Sequence, residues 1–197
     1  MERAIANLKN ANALSLDGIC GLGTAELEGL VRPSGYFRQK AARLKGFCSF
    51  VKARHGSLEA MKRLGGPNLR AELLSVNGIG NETCDSIMLY ALGKRIFVVD
   101  AYTKRIVSRL LGLRNEPSYD ELQEAFHSAL RKDIGLYKDM HAQLVELAKR
   151  HCTKSDPLCE GCPLLEMCTR GAGAATGRQP RISCPPCACS FSSPAPP

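Results

Sequence analysis

Four cysteines fall within seventeen residues, spaced Cys152-x6-Cys159-x2-Cys162-x5-Cys168, with Pro157 and Pro163 restraining the chain between them. A loop this short has little core of its own and draws its stability from ligation. Spacing alone suits tetrahedral zinc as well as iron with sulfide, since both accept four thiolates. A metal centre follows; its identity is left open. The first residues, Met1-Glu2-Arg3-Ala4-Ile5-Ala6-Asn7, hold no apolar run of signal-peptide length, and no long uncharged stretch suggests a membrane span. A soluble cytoplasmic protein is expected, and in a reducing compartment clustered cysteines read as ligands rather than as disulfide partners. Cys20, Cys48 and Cys84 are isolated in apolar surroundings and read as small buried hydrophobes.

Elsewhere apolar residues recur at helical spacing, as in Phe37, Ala41, Leu44, Cys48 and Val51, or Leu122, Phe126 and Leu130. Alternation of period two is absent. Thr24 and Ser57 are expected to cap helices, Pro33 and Gly35 to end one, and Ser118 with Glu121 to form a capping box. Ile96-Phe97-Val98-Val99 is β-prone but solitary, so it reads as a buried connector. An all-α fold is predicted, with a helical domain over residues 1–150 and the cysteine loop over 151–170. Residues 171–197 turn to Gly, Ala, Pro and Ser and read as a disordered tail. The tail's Cys184, Cys187 and Cys189 lack a fourth ligand nearby.

Leu73-Leu74-Ser75-Val76-Asn77-Gly78-Ile79-Gly80-Asn81-Glu82-Thr83-Cys84 joins two helical patterns through Gly-Ile-Gly, opening a hairpin over about residues 73–93. Two glycines permit a turn with positive φ and leave backbone N–H groups of Gly78, Ile79, Gly80 and Asn81 open to an anion such as a DNA phosphate. The net charge of +8 favours the same class of partner. Twenty residues beyond Gly80, Asp100 ends the apolar run and stands where it caps the next helix.

With both elements in place, residues from about Met1 to Arg170 resemble the helix-hairpin-helix DNA glycosylases of the endonuclease III superfamily. That family carries a Gly-hydrophobe-Gly hairpin followed by Val-Asp-x-x-x-x-Arg, matched here by Val99, Asp100 and Arg105. The segment from Arg32 to Ala41, with Gly35, Lys40 and Ala41, is similar to a further family segment. The resemblance implies Asp100 as the catalytic carboxylate and a [4Fe-4S] cluster on Cys152, Cys159, Cys162 and Cys168. It also implies that Lys149, Arg150, Lys154 and Arg170 around the loop contact the DNA backbone. The partner implied is double-stranded DNA with a damaged base, bound by a monomer in a prokaryotic cytoplasm, with the nucleoid.

Cleaving an N-glycosidic bond builds positive charge on the sugar, which a fixed carboxylate stabilises. Bifunctional members carry a lysine just after the hairpin, whose amine forms a Schiff base; here that position is Glu82. A carboxylate forms no imine, so the resemblance points to the monofunctional 3-methyladenine branch. A bifunctional glycosylase and lyase using another lysine, and a non-catalytic DNA-binding iron-sulfur fragment, are the alternatives. Lys94 and Lys104 read as solvated. Tyr90, Tyr102 and Tyr137 offer π-faces to a cationic base but each reads first as a core residue. His141 reads as a packing or hydrogen-bonding residue. The chain is expected to start after the family's first helix, leaving part of the base pocket absent.

Overall fold

The computed structural model describes residues 2–171, and among them every regular element is helical. The tail reading beyond Gly171, with Cys184, Cys187 and Cys189, lies outside the described residues. Packing divides the chain into two compact units, Met1–Lys94 and Arg95–Pro197.

The first unit contains α1 (Glu2–Asn10), α2 (Leu16–Gly21), α3 (Thr24–Val31), α4 (Phe37–His55), α5 (Leu58–Lys62), α6 (Gly66–Leu74) and α7 (Asn81–Ser86), the last running into a π-helical turn at Ile87–Ala91. Leu8, Ala13, Ile19, Leu27, Val31, Ala41 and Cys48 form one apolar cluster. Burial of such side chains, each worth roughly 1.5–3 kcal/mol for the larger aliphatics, is what holds short helices that would not persist alone. Ser15 and Ser57 cap α2 and α5 by accepting from Gly18 N and Ala60 N. Thr24 does not cap: α3 begins on it, and Gly23 occupies the cap position without a side-chain bond. Pro33 and Gly35 do mark an end, in a 3-10 turn over Arg32–Ser34 closed by Gly35 at φ 69°.

The second unit contains α8 (Ala101–Leu111), α9 (Tyr119–Ala129) and α10 (Ile134–Arg150), followed by the cysteine loop. Ser118 and Glu121 make the expected capping box on α9. The β-prone run 96–99 is a connector, with Phe97, Val98 and Val99 at most 1% exposed. Buried backbone polar groups need partners, and side chains of α9 supply them here. Gln123 Nε2 donates to Phe97 O (2.7 Å), Phe97 N donates to His127 Nε2 (2.9 Å), and Val99 N approaches Tyr119 Oη (3.4 Å). Tyr119, Gln123 and His127 are spaced by four, so one face of α9 stands in for a neighbouring strand. Phe97 also stacks on Phe126 (centroids 4.0 Å apart) and meets Tyr137 edge-on (5.7 Å). The connector is thereby rigid up to the residue that follows it, Asp100.

Candidate functional site

In the first unit, α6 and α7 flank the Gly-Ile-Gly turn as expected. Gly78 has φ +85°, a conformation that favours glycine, and Ile79 N bonds back to Val76 O at 3.0 Å. Gly80 is extended at φ −94° and is the N-cap of α7, with no side-chain cap. Its lack of a side chain keeps the approach to the first amides of α7 open. The hairpin is stapled by a pair that sequence reading missed. Arg70 on α6 grips the fully buried Asp85 of α7 with two bonds, Nε to Oδ1 at 2.8 Å and Nη2 to Oδ2 at 3.1 Å. Glu82 is exposed in the first turn of α7.

In the second unit, Asp100 is the N-cap of α8 and 8% exposed. Its Oδ1 accepts from Thr103 N (2.7 Å) and Thr103 Oγ1 (2.8 Å), while Oδ2 lies 3.6 Å from His141 Nε2 on α10. Burial pushes this carboxyl upward, but the His141 imidazole and the two Thr103 donors outweigh it and hold the pKa below the ordinary aspartate value. The two oxygens therefore have different duties. One holds the helix start; the other faces an imidazole in a site that favours the anion.

The loop after α10 brings its four cysteines together. Cys152, Cys159, Cys162 and Cys168 all line one cavity of about 30 Å³, together with Arg109, Leu158 and Leu165. No three cysteine, histidine or carboxylate groups among the described residues converge closely enough to hold a single metal ion. Donors reach two of the sulfurs: Arg109 Nη1 lies 3.3 Å from Cys152 Sγ, and Gly171 N lies 3.4 Å from Cys168 Sγ. Arg109 also bonds the carbonyls of Thr153 (2.6 Å) and Lys154 (2.8 Å), and Arg105 Nε bonds that of Cys152 (2.9 Å). Arginines four residues apart on α8 thus hold the loop to the helix that Asp100 begins. At the far end of α8, Gly112 (φ +62°) packs against Thr169, with the place of a Cβ only 2.6 Å from Thr169 Cγ2.

Other expectations divide. Cys48 and Cys84 are buried, and burial pushes each thiol up to about 11, so they are inert. Cys20 is only half-buried and lies 3.8 Å from Ser49 Oγ. Tyr137 is core at 1% exposed, whereas Tyr90 (44%) and Tyr102 (37%) are not. The Arg105 guanidinium already covers the Tyr102 ring at 5.1 Å. Lys94 is not simply solvated, since its Nζ bonds the carbonyls of Lys62 and Leu64, and Lys104 lies 3.6 Å from Glu116. Of the basic residues near the loop, Arg150 is engaged by Glu146. Tyr36 received no role from the sequence, yet it is 85% exposed and left-handed at φ 48°, an uncommon state for a bulky residue.

An open glycine hairpin in one unit, and a capping aspartate with a four-cysteine cavity in the other, define a helix-hairpin-helix protein. Residues 1–132 match the profile of the HhH-GPD superfamily base excision DNA repair proteins, and the chain belongs to that superfamily. A candidate DNA repair glycosylase of Methanocaldococcus jannaschii is 45% identical over 170 residues, covering 85% of this chain and 77% of that protein. Among solved structures, the H. pylori 3-methyladenine DNA glycosylase bound to 1,N6-ethenoadenine is 32% identical, with a TM-score of 0.65 over 75% of this chain and 76% of that one. An endonuclease III in a non-covalent DNA complex has the same fold, with a TM-score of 0.72 at 23% identity over 87% of this chain and 76% of that one.

Proposed function

We propose that this chain is a base excision DNA glycosylase that hydrolyses the N-glycosidic bond of a damaged base in duplex DNA, using Asp100 and without lyase chemistry. The observation that carries the reading is the division of labour at Asp100, where Oδ1 caps α8 and Oδ2, kept ionised, is not consumed by the cap. The target base must leave the stack before its bond can be reached. As that bond lengthens, the sugar gains positive charge, and a buried carboxylate stabilises it more strongly than it could in water while orienting or deprotonating the attacking water. The amides of Gly78, Gly80 and Asn81 hold a backbone phosphate, that of Ile79 being engaged by Val76 O within the turn. Tyr36, exposed on a strained backbone, serves as the wedge that replaces the extruded base.

Glu82 has no amine, so no imine forms there and strand cleavage by that route is absent. Similarity to the 3-methyladenine glycosylase favours an alkylated purine, whose formal charge already weakens its bond to the sugar. Cys152, Cys159, Cys162 and Cys168 hold a [4Fe-4S] cluster. Four thiols lining one cavity are the donor set that such a cluster takes. The cluster would supply cross-linking of the loop, with Arg105 and Arg109 passing that rigidity to α8.

The test is incubation of the purified protein with alkylated duplex DNA. Alkali-labile abasic sites should appear, Asp100→Asn should abolish them, and borohydride should trap no covalent adduct. Intact glycosidic bonds across alkylated, oxidised and mismatched substrates would overturn the assignment, and a trapped adduct would replace it with a bifunctional enzyme.

A further inference from the structure

The hairpin has to attract a polyanion, but its own sequence carries no cation. Residues 73–84 contain neither lysine nor arginine, and their one charge, on the exposed Glu82, has the wrong sign. Backbone amides supply dipoles only. A formal positive charge must come from elsewhere.

Arg43, on α4, lies across the glycine turn. The place a Cβ would take at Gly78 is 2.6 Å from Arg43 Cγ, 2.7 Å from Nε and 2.8 Å from Cδ. A side chain at Gly78 would push that flexible stem off the turn, and the φ of +85° separately favours glycine. The other basic residues of α4 are occupied within the protein. Arg38 faces Glu28 at 4.0 Å, Lys52 pairs with Asp17 at 2.6 Å, and Arg54 lies 3.7 Å from Glu72. Lys40 bonds the carbonyl of Ser34, and Lys45 that of Leu22. Arg43 is exposed, and among the described residues neither a carboxylate nor a carbonyl engages its guanidinium.

We propose that Arg43 is the cationic member of the hairpin's phosphate site: its stem rests on Gly78, and its guanidinium pairs with the DNA phosphodiester that the hairpin amides receive. This deepens the glycosylase reading and rests on it for the partner, duplex DNA. A planar guanidinium can bond two phosphate oxygens at once, fixing the backbone register as well as adding charge. Such a contact carries no base information, so it should act equally on damaged and undamaged duplex.

The experiment measures binding of a fluorescein-labelled undamaged duplex, and of the same duplex with one alkylated base, across a series of salt concentrations. Arg43→Gln should weaken both by about five- to tenfold near 0.1 M salt and lower the slope of log K against log salt by about one unit. Arg43→Lys should keep the slope, and Arg43→Met, which keeps the stem on Gly78, should lose it. The melting temperature should not change, and in excision assays KM should rise while kcat holds. A parental slope in Arg43→Gln or Arg43→Met, with parental binding intact, overturns the role of Arg43 alone. If the parent protein binds neither duplex, the glycosylase reading itself falls.

Discussion

Two buried aspartates, one in each unit, show how the same side chain is put to opposite uses. Asp85 is fully buried, and both its oxygens are held by one arginine, Arg70. Asp100 retains some exposure, gives one oxygen to a helix cap, and turns the other toward His141. Both Asp85 oxygens are committed to a staple with no exposure to solvent, whereas Asp100 keeps one oxygen outside the cap and some exposure. The comparison teaches that burial alone does not single out a candidate catalytic carboxylate. What separates the two is access: one is sealed against its partner, the other is left partly open.

The largest separation between them should appear in catalysis. Asp100→Asn preserves size and the cap acceptor but removes the charge, so excision should fall by about a thousandfold or more while duplex binding holds and the melting temperature drops only slightly. Single-turnover excision with parallel binding titrations checks this, and a large loss of stability instead would make Asp100 structural like Asp85.

Asp85→Ala should do the reverse. It removes both bonds from the Arg70 guanidinium and breaks the staple between α6 and α7, which typically costs about 3 kcal/mol. Urea unfolding should show that loss, and any residual folded protein should still excise. An unchanged denaturation midpoint would remove the distinction.

Tyr36→Ala touches neither carboxylate and should lower excision by about tenfold through loss of stacking on the opened duplex, without altering stability. Tyr36→Phe should recover most of it, because the ring and not the hydroxyl fills the gap.

The smallest expected effect is a pH shift. In the folded chain the Asp100 carboxyl titrates below its ordinary value, so its contribution to stability is complete above the ordinary aspartate range and fades as pH falls through the depressed folded value. His141→Leu removes a lowering partner and leaves the burial cost. The acid limb of the kcat/KM profile and the acid unfolding midpoint should both move to higher pH. An acid limb that stays in place would show that Thr103 alone holds the carboxyl down.

Legibility in the sequence followed the same line. The hairpin, Asp100 and the four cysteines are readable because their chemistry is written in residue type and local spacing: a glycine pair, a capping position, four thiols in a short loop. Two local details were misread. The Ile79 amide is spent on Val76 O rather than left open to an anion, and Thr24 opens a helix that Gly23 caps. Side-chain identity restricts such choices without making them. The Arg70–Asp85 staple, the ladder of Tyr119, Gln123 and His127 on α9, and the Arg105 and Arg109 grip on the cysteine loop left no signal that spacing could expose. Arginine and aspartate fifteen residues apart, or arginines some forty residues from their carbonyl partners, look like any surface charges until the chain folds.

By itself, then, the sequence determined the helical class, the glycine turn, the capping aspartate and the cysteine spacing, because each depends on backbone conformational preference or on ligand chemistry within a few residues. Only tertiary structure decided which aspartate keeps an oxygen free of the cap, which arginine lies over Gly78, and how a β-prone run is buried without a sheet. Those outcomes depend on which distant groups arrive to satisfy a buried charge or a backbone amide, and packing alone brings them together.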